Sequence, residues 1–363
     1  MVPRTVVTPD EATSIPELYE RALQIAHEGR YEEAASAFER IVALDPHGEL
    51  ADDALFQAAH ERDRSGALDL AARRYQDLAR TYPHSPLALP ALVRAVRILC
   101  HLERWQEAGE LASTVLAREG ELGPFDRVLL HAARALERLA ANDEPAASSY
   151  VERGRSLIDE HALDAAGRIS RDLAALYFAL GELRRRRAER IGFVPLPADF
   201  ATVLERRCEL LLAAQSAYSD AMRAYDAHWS TMAGVRVGEL YAALHRDLMR
   251  ITPLSGDTPE KRRLFEGALR LRYSVLLEKA LGMVEHTLGM AERTGERSAW
   301  VDQARRLRAD LQAEVRAEQA ALDRLPYSRA TLEAALEELG NRHAGAGKAA
   351  GAGRATTPPS GTR

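Results

Sequence analysis

SIPELYERALQIAHEGRYEEAASAFERIVALDP at residues 14–46 and ADDALFQAAHERDRSGALDLAARRYQDLARTYP at residues 51–83 are two copies of one plan. Tyr31, Leu68 and Trp105 stand 37 residues apart, as do Ala34, Ala71 and Ala108, and Leu18, Leu55 and Leu92. Pro46 and Pro83 keep the same step of 37, with Gly120 in the third place. Self-similarity of this length marks helical hairpins that stack on their neighbours.

The local signals agree. Ser14 with Glu17 three residues on forms a capping box, and Pro16 is tolerated in the first turn. Gly29 ends that helix. Tyr31 opens the next, where Ala34, Phe38 and Ile41 share a face at steps of four and three, and Pro46 stops it. The second copy runs through Leu55 and Ala59 to Gly66, then Leu68, Ala71, Tyr75 and Leu78 to Pro83. The third gives Leu92 and Val96, then Trp105, Ala108, Ala112 and Val115. A small residue at 34, 71 and 108 lets paired helices approach closely, and the aromatic four residues later (Phe38, Tyr75) fills the space toward the next hairpin. A fourth hairpin, Asp126–Leu139 and Pro145–His161, fits the columns poorly and suits a degenerate or capping repeat.

These positions resemble the tetratricopeptide repeat (TPR), whose second helix carries an early small residue, an aromatic four later and a terminal proline. The match is strong over residues 15–120, and Tyr-Pro-His-Ser-Pro at 82–86 looks like the longer variety found in bacterial cell-envelope assembly factors. The resemblance implies an all-α, TPR-like hairpin solenoid whose first helices line a partner-binding groove. Carried over by position, the lining is Tyr19, Leu23 and His27, then Phe56, His60 and Arg64, then Val93, Arg97 and His101. That mixed apolar and basic surface suits an extended peptide or a helix with apolar anchors and some acidic character. Domains of this family that clamp the C-terminal carboxylate of chaperones use Lys and Asn where this chain has Tyr19 and Leu23. Of the remaining clamp positions, Gln57 and Pro90 depart and Arg94 fits, which argues against that ligand.

From residue 163 to 340 the period is lost and the helices lengthen into antiparallel elements, read either as divergent repeats or as a separate bundle. Asp164–Ile191 reads as one helix. Another is expected from Asp199 toward Ile251, with a heptad seam of Leu204, Leu211, Tyr218, Tyr225 and Met232 and a partner row of Cys208, Gln215, Met222 and Trp229. Gly234 and Gly238 are candidate kink positions. Asp226–Leu248 and Leu276–Trp300 read as the two helices of a further repeat. After a loop at Thr252–Thr258, Thr258-Pro259-Glu260 restarts a helix that continues to about Arg293. A last pair begins near Ser298, with Trp300, Ala304, Leu307 and Leu311 on one face, is interrupted at Pro326, and resumes from Ser328 to Leu339. Residues 1–13 and the Gly/Ala/Thr/Pro tail at 341–363 are expected to be disordered. This half is similar to large TPR proteins of bacterial envelope and gliding-motility machinery.

Composition sets the limits. Of 363 residues, 46% are hydrophobic and 28% charged, enough for a core and a charged surface. A formal charge of −5 gives no general pull toward nucleic acid or anionic lipid. No segment approaches the roughly 20 apolar residues of a membrane span. Met1–Glu11 is polar with no secretory pattern. A complete chain is therefore expected in the cytoplasm, and one from which a leader was removed in the periplasm or cell envelope. Cys100 and Cys208 lie in apolar stripes and read as free thiols.

No phosphate-binding Gly-rich loop, metal-spaced Cys or His set, or nucleophile elbow is present, so no catalytic residue, cofactor or metal ligand is assigned. His60, His101 and His131 read as groove or surface side chains, and Arg184–Arg187 beside Arg190 as a solvated helix face. The expectation is a non-enzymatic scaffold for protein or peptide partners, without nucleic acid, with the long C-terminal helices open to homo-oligomerisation. The alternatives are a helical-solenoid enzyme or regulatory subunit, whose titratable cluster forms only in three dimensions, and an RNA-binding helical repeat, which would need a continuous basic face.

Overall fold

The computed structural model describes residues 14–164, 169–251 and 258–335. Among these every regular element is helical. The expected disorder at 1–13 and 341–363, most of the 252–258 loop, and the last helix beyond residue 335 lie outside the described residues. The chain divides into two compact units, Met1–His161 and Ala162–Arg363.

The first unit holds α1 (Ile15–His27), α2 (Tyr31–Leu44), α3 (Ala51–Arg64), α4 (Leu68–Thr81), α5 (Ala88–His101), α6 (Trp105–Leu116), α7 (Pro124–Ala140) and α8 (Glu144–His161). Each helix packs on the next, forming four hairpins in a row. The capping box is in place: Ser14 N–H donates to Glu17 Oε2 at 2.9 Å, and Glu17 N–H to Ser14 Oγ at 3.5 Å. The small column Ala34, Ala71 and Ala108 is fully buried, as are Phe38, Tyr75 and Ala112 four residues on and Ile41, Leu78 and Val115 beyond them. Alanine thus sets the helix spacing and the larger side chains supply the buried apolar area. The turn inside each hairpin takes positive φ at Gly29 (78°), Gly66 (82°), Glu103 (57°) and Asn142 (59°). Glycine fills the first two because that conformation costs it nothing.

Neighbouring hairpins are tied by polar links. Tyr19 donates to the Asp53 carboxylate. Ser85 Oγ donates to Asp52 at 2.6 Å, Tyr82 Oη to the Pro46 carbonyl at 2.9 Å, and Arg104 to Asp69 at 2.9 Å. Glu39 receives both Arg62 (3.0 Å) and Arg74 (2.9 Å). Burial pushes the Glu39 carboxyl up, but the two guanidinium groups outweigh it and hold it below the ordinary range.

The second unit holds α9 (Ala174–Glu189), α10 (Phe200–Arg223), α11 (Ala227–Met249), α12 (Pro259–Thr294) and α13 (Ala299–Asp323), with a further turn of helix at 329–335. Consecutive helices run antiparallel: Tyr218 meets Glu182, Tyr241 meets Gln215, Gly234 faces Thr287 and Arg270 pairs with Glu318. The helix α11 packs against α9, α10, α12 and α13 and is buried along most of its length.

Several expectations change here. The helix expected over Asp164–Ile191 begins at Ala174 after a short 3-10 turn, Arg171–Leu173. The single helix expected over Asp199–Ile251 is two. Tyr225 sits in the turn between them at φ 56° and 82% exposed, so it belongs to no seam. Asp226 starts α11 by accepting from His228 and Trp229 N–H at 3.1 Å each. Along α10 the buried row is Arg207, Leu211, Ala214, Tyr218 and Ala221, one residue off the partner row expected at Cys208, Gln215 and Met222, which are only half-buried. Gly234 and Gly238 lie inside an unbroken helix. A Cβ on Gly234 would stand 2.1 Å from Thr287 Oγ1, so the glycine marks close approach to α12. Leu276–Trp300 is not one helix either: Gly295, at φ 74°, ends α12, and Trp300 belongs to α13.

The Arg184–Arg187 run is half-buried and engaged, not a solvated face. Arg184 donates to the Ala213 carbonyl at 2.8 Å, and Arg185 joins a buried cluster. In that cluster Glu182 accepts from Tyr218 Oη (2.7 Å) and Arg185 (2.8 Å) and is ion-paired with Arg236 (2.9 Å). Arg236 continues to Glu239 at 2.7 Å and lies over the Trp300 ring. Burial alone would raise the Glu182 carboxyl; Arg236 and Arg185 reverse that and hold it below its usual range. Arg207, 1% exposed, donates through its terminal nitrogens to the Ala188 carbonyl and to Asp247 at 3.0 Å.

Candidate partner-binding groove

The nine residues expected to line a groove come from the same face of α1, α3 and α5, at one 37-residue step. The structure gives them unequal roles. Tyr19 is buried, with its ring edge-on to Phe38 at 5.3 Å and its hydroxyl on Asp53, so it joins the first hairpin to the second. Burial, then Asp53, pushes its phenol well above the ordinary range. Leu23 is half-buried against the same core, and His27 is exposed at the end of α1, with Nδ1 2.9 Å from the Leu23 carbonyl. Arg64 is exposed but held, stacked 4.2 Å over the Tyr31 ring and donating to its hydroxyl at 3.1 Å.

The rest are brought closer together. Phe56 is half-buried, edge-on to Tyr75 at 5.4 Å, and carries the Arg94 guanidinium 5.4 Å over its own ring. Burial pushes the Tyr75 phenol up to about 12. His60 is half-buried; burial, then Arg94, lowers its imidazole below the usual range, and its Nδ1 has no hydrogen-bond partner among the described residues. Val93 and Arg97 line a hollow of about 290 Å³ with Asp63, Pro90, Arg94, Ile98 and Asp126. Arg97 lies 3.9 Å from Asp126, and His101 is half-buried at the end of α5. Asp63, Pro90, Arg94, Ile98 and Asp126 were not among the expected lining; Asp63, Arg94 and Ile98 adjoin Arg64, Val93 and Arg97 in sequence, and Asp126 enters from the poorly periodic fourth hairpin. The hollow is apolar at Pro90, Val93 and Ile98, with two arginines and two aspartates around it.

Of the three histidines expected near a groove, His131 is buried, 3.4 Å from Glu119, and its imidazole is lowered chiefly by burial. Among the described residues no group of three or more His, Cys, Asp or Glu side chains could hold a metal ion, and no helix is long and apolar enough to cross a membrane. Cys100 is buried and Cys208 half-buried, both as free thiols.

The repeat geometry makes this an all-α helical-repeat protein with TPR-like hairpins. No family model matches the chain, and no curated protein matches it. Among solved structures, a tetratricopeptide repeat protein from Parabacteroides merdae aligns over 81% of this chain and 98% of its own, at 12% identity and a TM-score of 0.42. A circular tandem repeat protein with novel repeat topology aligns over 85% of this chain and 78% of its own, at 15% identity and a TM-score of 0.18. At scores of that size, the fold rests on the chain's own hairpins.

Proposed function

We propose that this protein is a non-enzymatic scaffold that holds another protein by a peptide or helix laid across α3 and α5, with the long helices of the second unit as a further contact face. The observation that carries this is the hollow lined by Val93, Arg94 and Arg97, to which Arg94 links Phe56 and His60. An apolar side chain fits over Pro90, Val93 and Ile98, and a neighbouring carboxylate would meet Arg94, which makes no ion pair among the described residues. The groove reading therefore centres on Phe56, His60, Val93, Arg94 and Arg97, with His27 and His101 at the helix ends and Tyr19 in a supporting role. Asp63 and Asp126 interrupt any basic track, which argues against RNA as the ligand. The enzyme alternative would need an active titratable cluster in a cleft; the buried Glu182 cluster is instead internally neutralised. Neither a cofactor nor a metal is part of the proposal, and membership of a cell-envelope assembly is what the resemblance suggests.

The test is crosslinked affinity capture from native lysate, comparing this chain with an Arg94→Glu, Arg97→Glu double variant. Both side chains are exposed, so folding is expected to survive, which circular dichroism checks. Partners retained on the native chain and lost on the variant would support the groove and name the compartment. Undiminished capture by the variant would remove the groove as the site.

A further inference from the structure

The outer face of α12 carries a charge pattern without ion pairs to its own chain among the described residues, though Lys279 lies 5.7 Å over the Tyr241 ring and Arg272 5.8 Å over the Tyr273 ring. Opposite the buried row Leu277, Ala280, Val284, Thr287 and Ala291, the helix shows Val275, Gly282 and Gly289 at steps of seven; Val275 is 44% exposed, and nothing lies within 4 Å of a Cβ built on Gly282. On one side of this strip stand Arg272, Lys279, His286 and Arg293, again at steps of seven and all exposed. On the other stand Glu278, Glu285 and Glu292, exposed and at the same step. At 100° per residue, the strip separates a basic flank from an acidic one over about 30 Å of helix. The usual reason for such residues on a solvated helix is i,i+4 pairing. Here the residues four away are not of opposite charge, and none of the seven makes an ion pair among the described residues. The polar contact of the acidic flank is a 3.5 Å one between Gln312 and Glu285.

We propose that this face is where two copies of the chain associate, with their α12 helices side by side and parallel. The charge geometry selects both the occupant and the direction. A two-fold axis along paired helices sets the basic flank of each against the acidic flank of the other, as flanking charges do in parallel coiled coils. A two-fold axis across the helices would set like charge against like. The strip itself contributes no bulky side chain besides Val275, and the Arg293 guanidinium that lies 3.5 Å from a Cβ built on Gly289 is the end of a flexible flank side chain, so the helices can come close enough for the flanks to meet. This names the surface and occupant of the second contact face proposed above. It uses no groove residue, so the two fail separately.

The test is sedimentation of the full chain over a range of protein and salt concentrations. A reversible dimer that weakens at least tenfold between 50 mM and 500 mM salt is expected, because exposed charges supply the selectivity. An acid-flanked variant (Arg272→Glu, Lys279→Glu, Arg293→Glu) and a base-flanked variant (Glu278→Lys, Glu285→Lys, Glu292→Lys) should each be monomeric alone and associate when mixed. Direction is read by oxidation in a Cys208→Ser background: chains carrying Val275→Cys should crosslink to one another, and so should chains carrying Gly289→Cys. A native chain that stays monomeric throughout, a dimer indifferent to both flank variants, or crosslinks formed only between Val275→Cys and Gly289→Cys chains would each overturn the proposal.

Discussion

The two units bury their charges differently. In the first unit the buried charges, Glu61 and Arg134, each pair within their own helix, with Arg64 and Glu137, while Glu39, Asp69 and Asp52 meet their partners at half-buried or exposed positions. In the long helices of the second, Glu182 and Arg207 lie within the packing itself. A short hairpin turns most of its polar residues outward and answers a buried charge from the next turn of the same helix. A helix such as α11, covered by four others, has no outward side to spare, and the charges along its neighbours must be matched inside.

Four measurements would break or sharpen this contrast. The largest effect is expected from Glu182→Leu, which leaves Arg185 and Arg236 without their shared carboxylate. Loss of one partner of a buried ion cluster costs about 3–5 kcal/mol, read as a lower denaturation midpoint of the second unit; a change under about 1 kcal/mol would mean that Glu239, on Arg236, and Glu189, 2.8 Å from Arg185, compensate. Next comes Ala71→Trp, which overfills a fully buried close contact and should cost about 1–3 kcal/mol or more. Unchanged thermal stability there would refute the 37-residue register.

A smaller effect with the opposite sign is expected at Glu103. Its φ of 57° holds a conformation that suits glycine, so Glu103→Gly should stabilise by about 1 kcal/mol and raise the melting temperature. The smallest effect is a pH dependence shared by both units. Burial, named first among the causes, lowers His60 and His131 in the first unit and His245 in the second. The unfolded chain then binds protons before the folded one does. The sign follows: stability is complete above the ordinary histidine value of 6.5 and declines as pH falls below it toward the folded values. Urea titrations at pH 7.5 and 5.5 should show the lower midpoint at 5.5, and equal midpoints would refute this assignment.

The same contrast explains what was legible in the sequence. Each hairpin residue meets nearly the same surroundings every 37 positions, so Ala34, Ala71 and Ala108 announce themselves by recurrence. In the second unit nothing recurs, and an accidental heptad carried the count straight through the turn at Tyr225. The Glu182 cluster draws on α9, α10 and α11, and no spacing along one helix connects residues 182, 218 and 236. Among the residues expected in the groove, position along the repeat put Val93 and Arg97 beside one hollow and Phe56 under Arg94. It did not show that Tyr19 is spent on Asp53, because that bond depends on how far the second hairpin leans over the first.

The links between hairpins carry one more consequence. The apolar columns are nearly interchangeable from one interface to the next, so by themselves they would let any hairpin stack on any other. The polar links are not: Glu39 with Arg62 and Arg74 belongs to the first junction, Asp69 with Arg104 to the second. The columns act as a universal fastener, and the charges as an address written once at each joint. A shuffled order of the same hairpins would still collapse and stack, but it would arrive with its addresses mismatched.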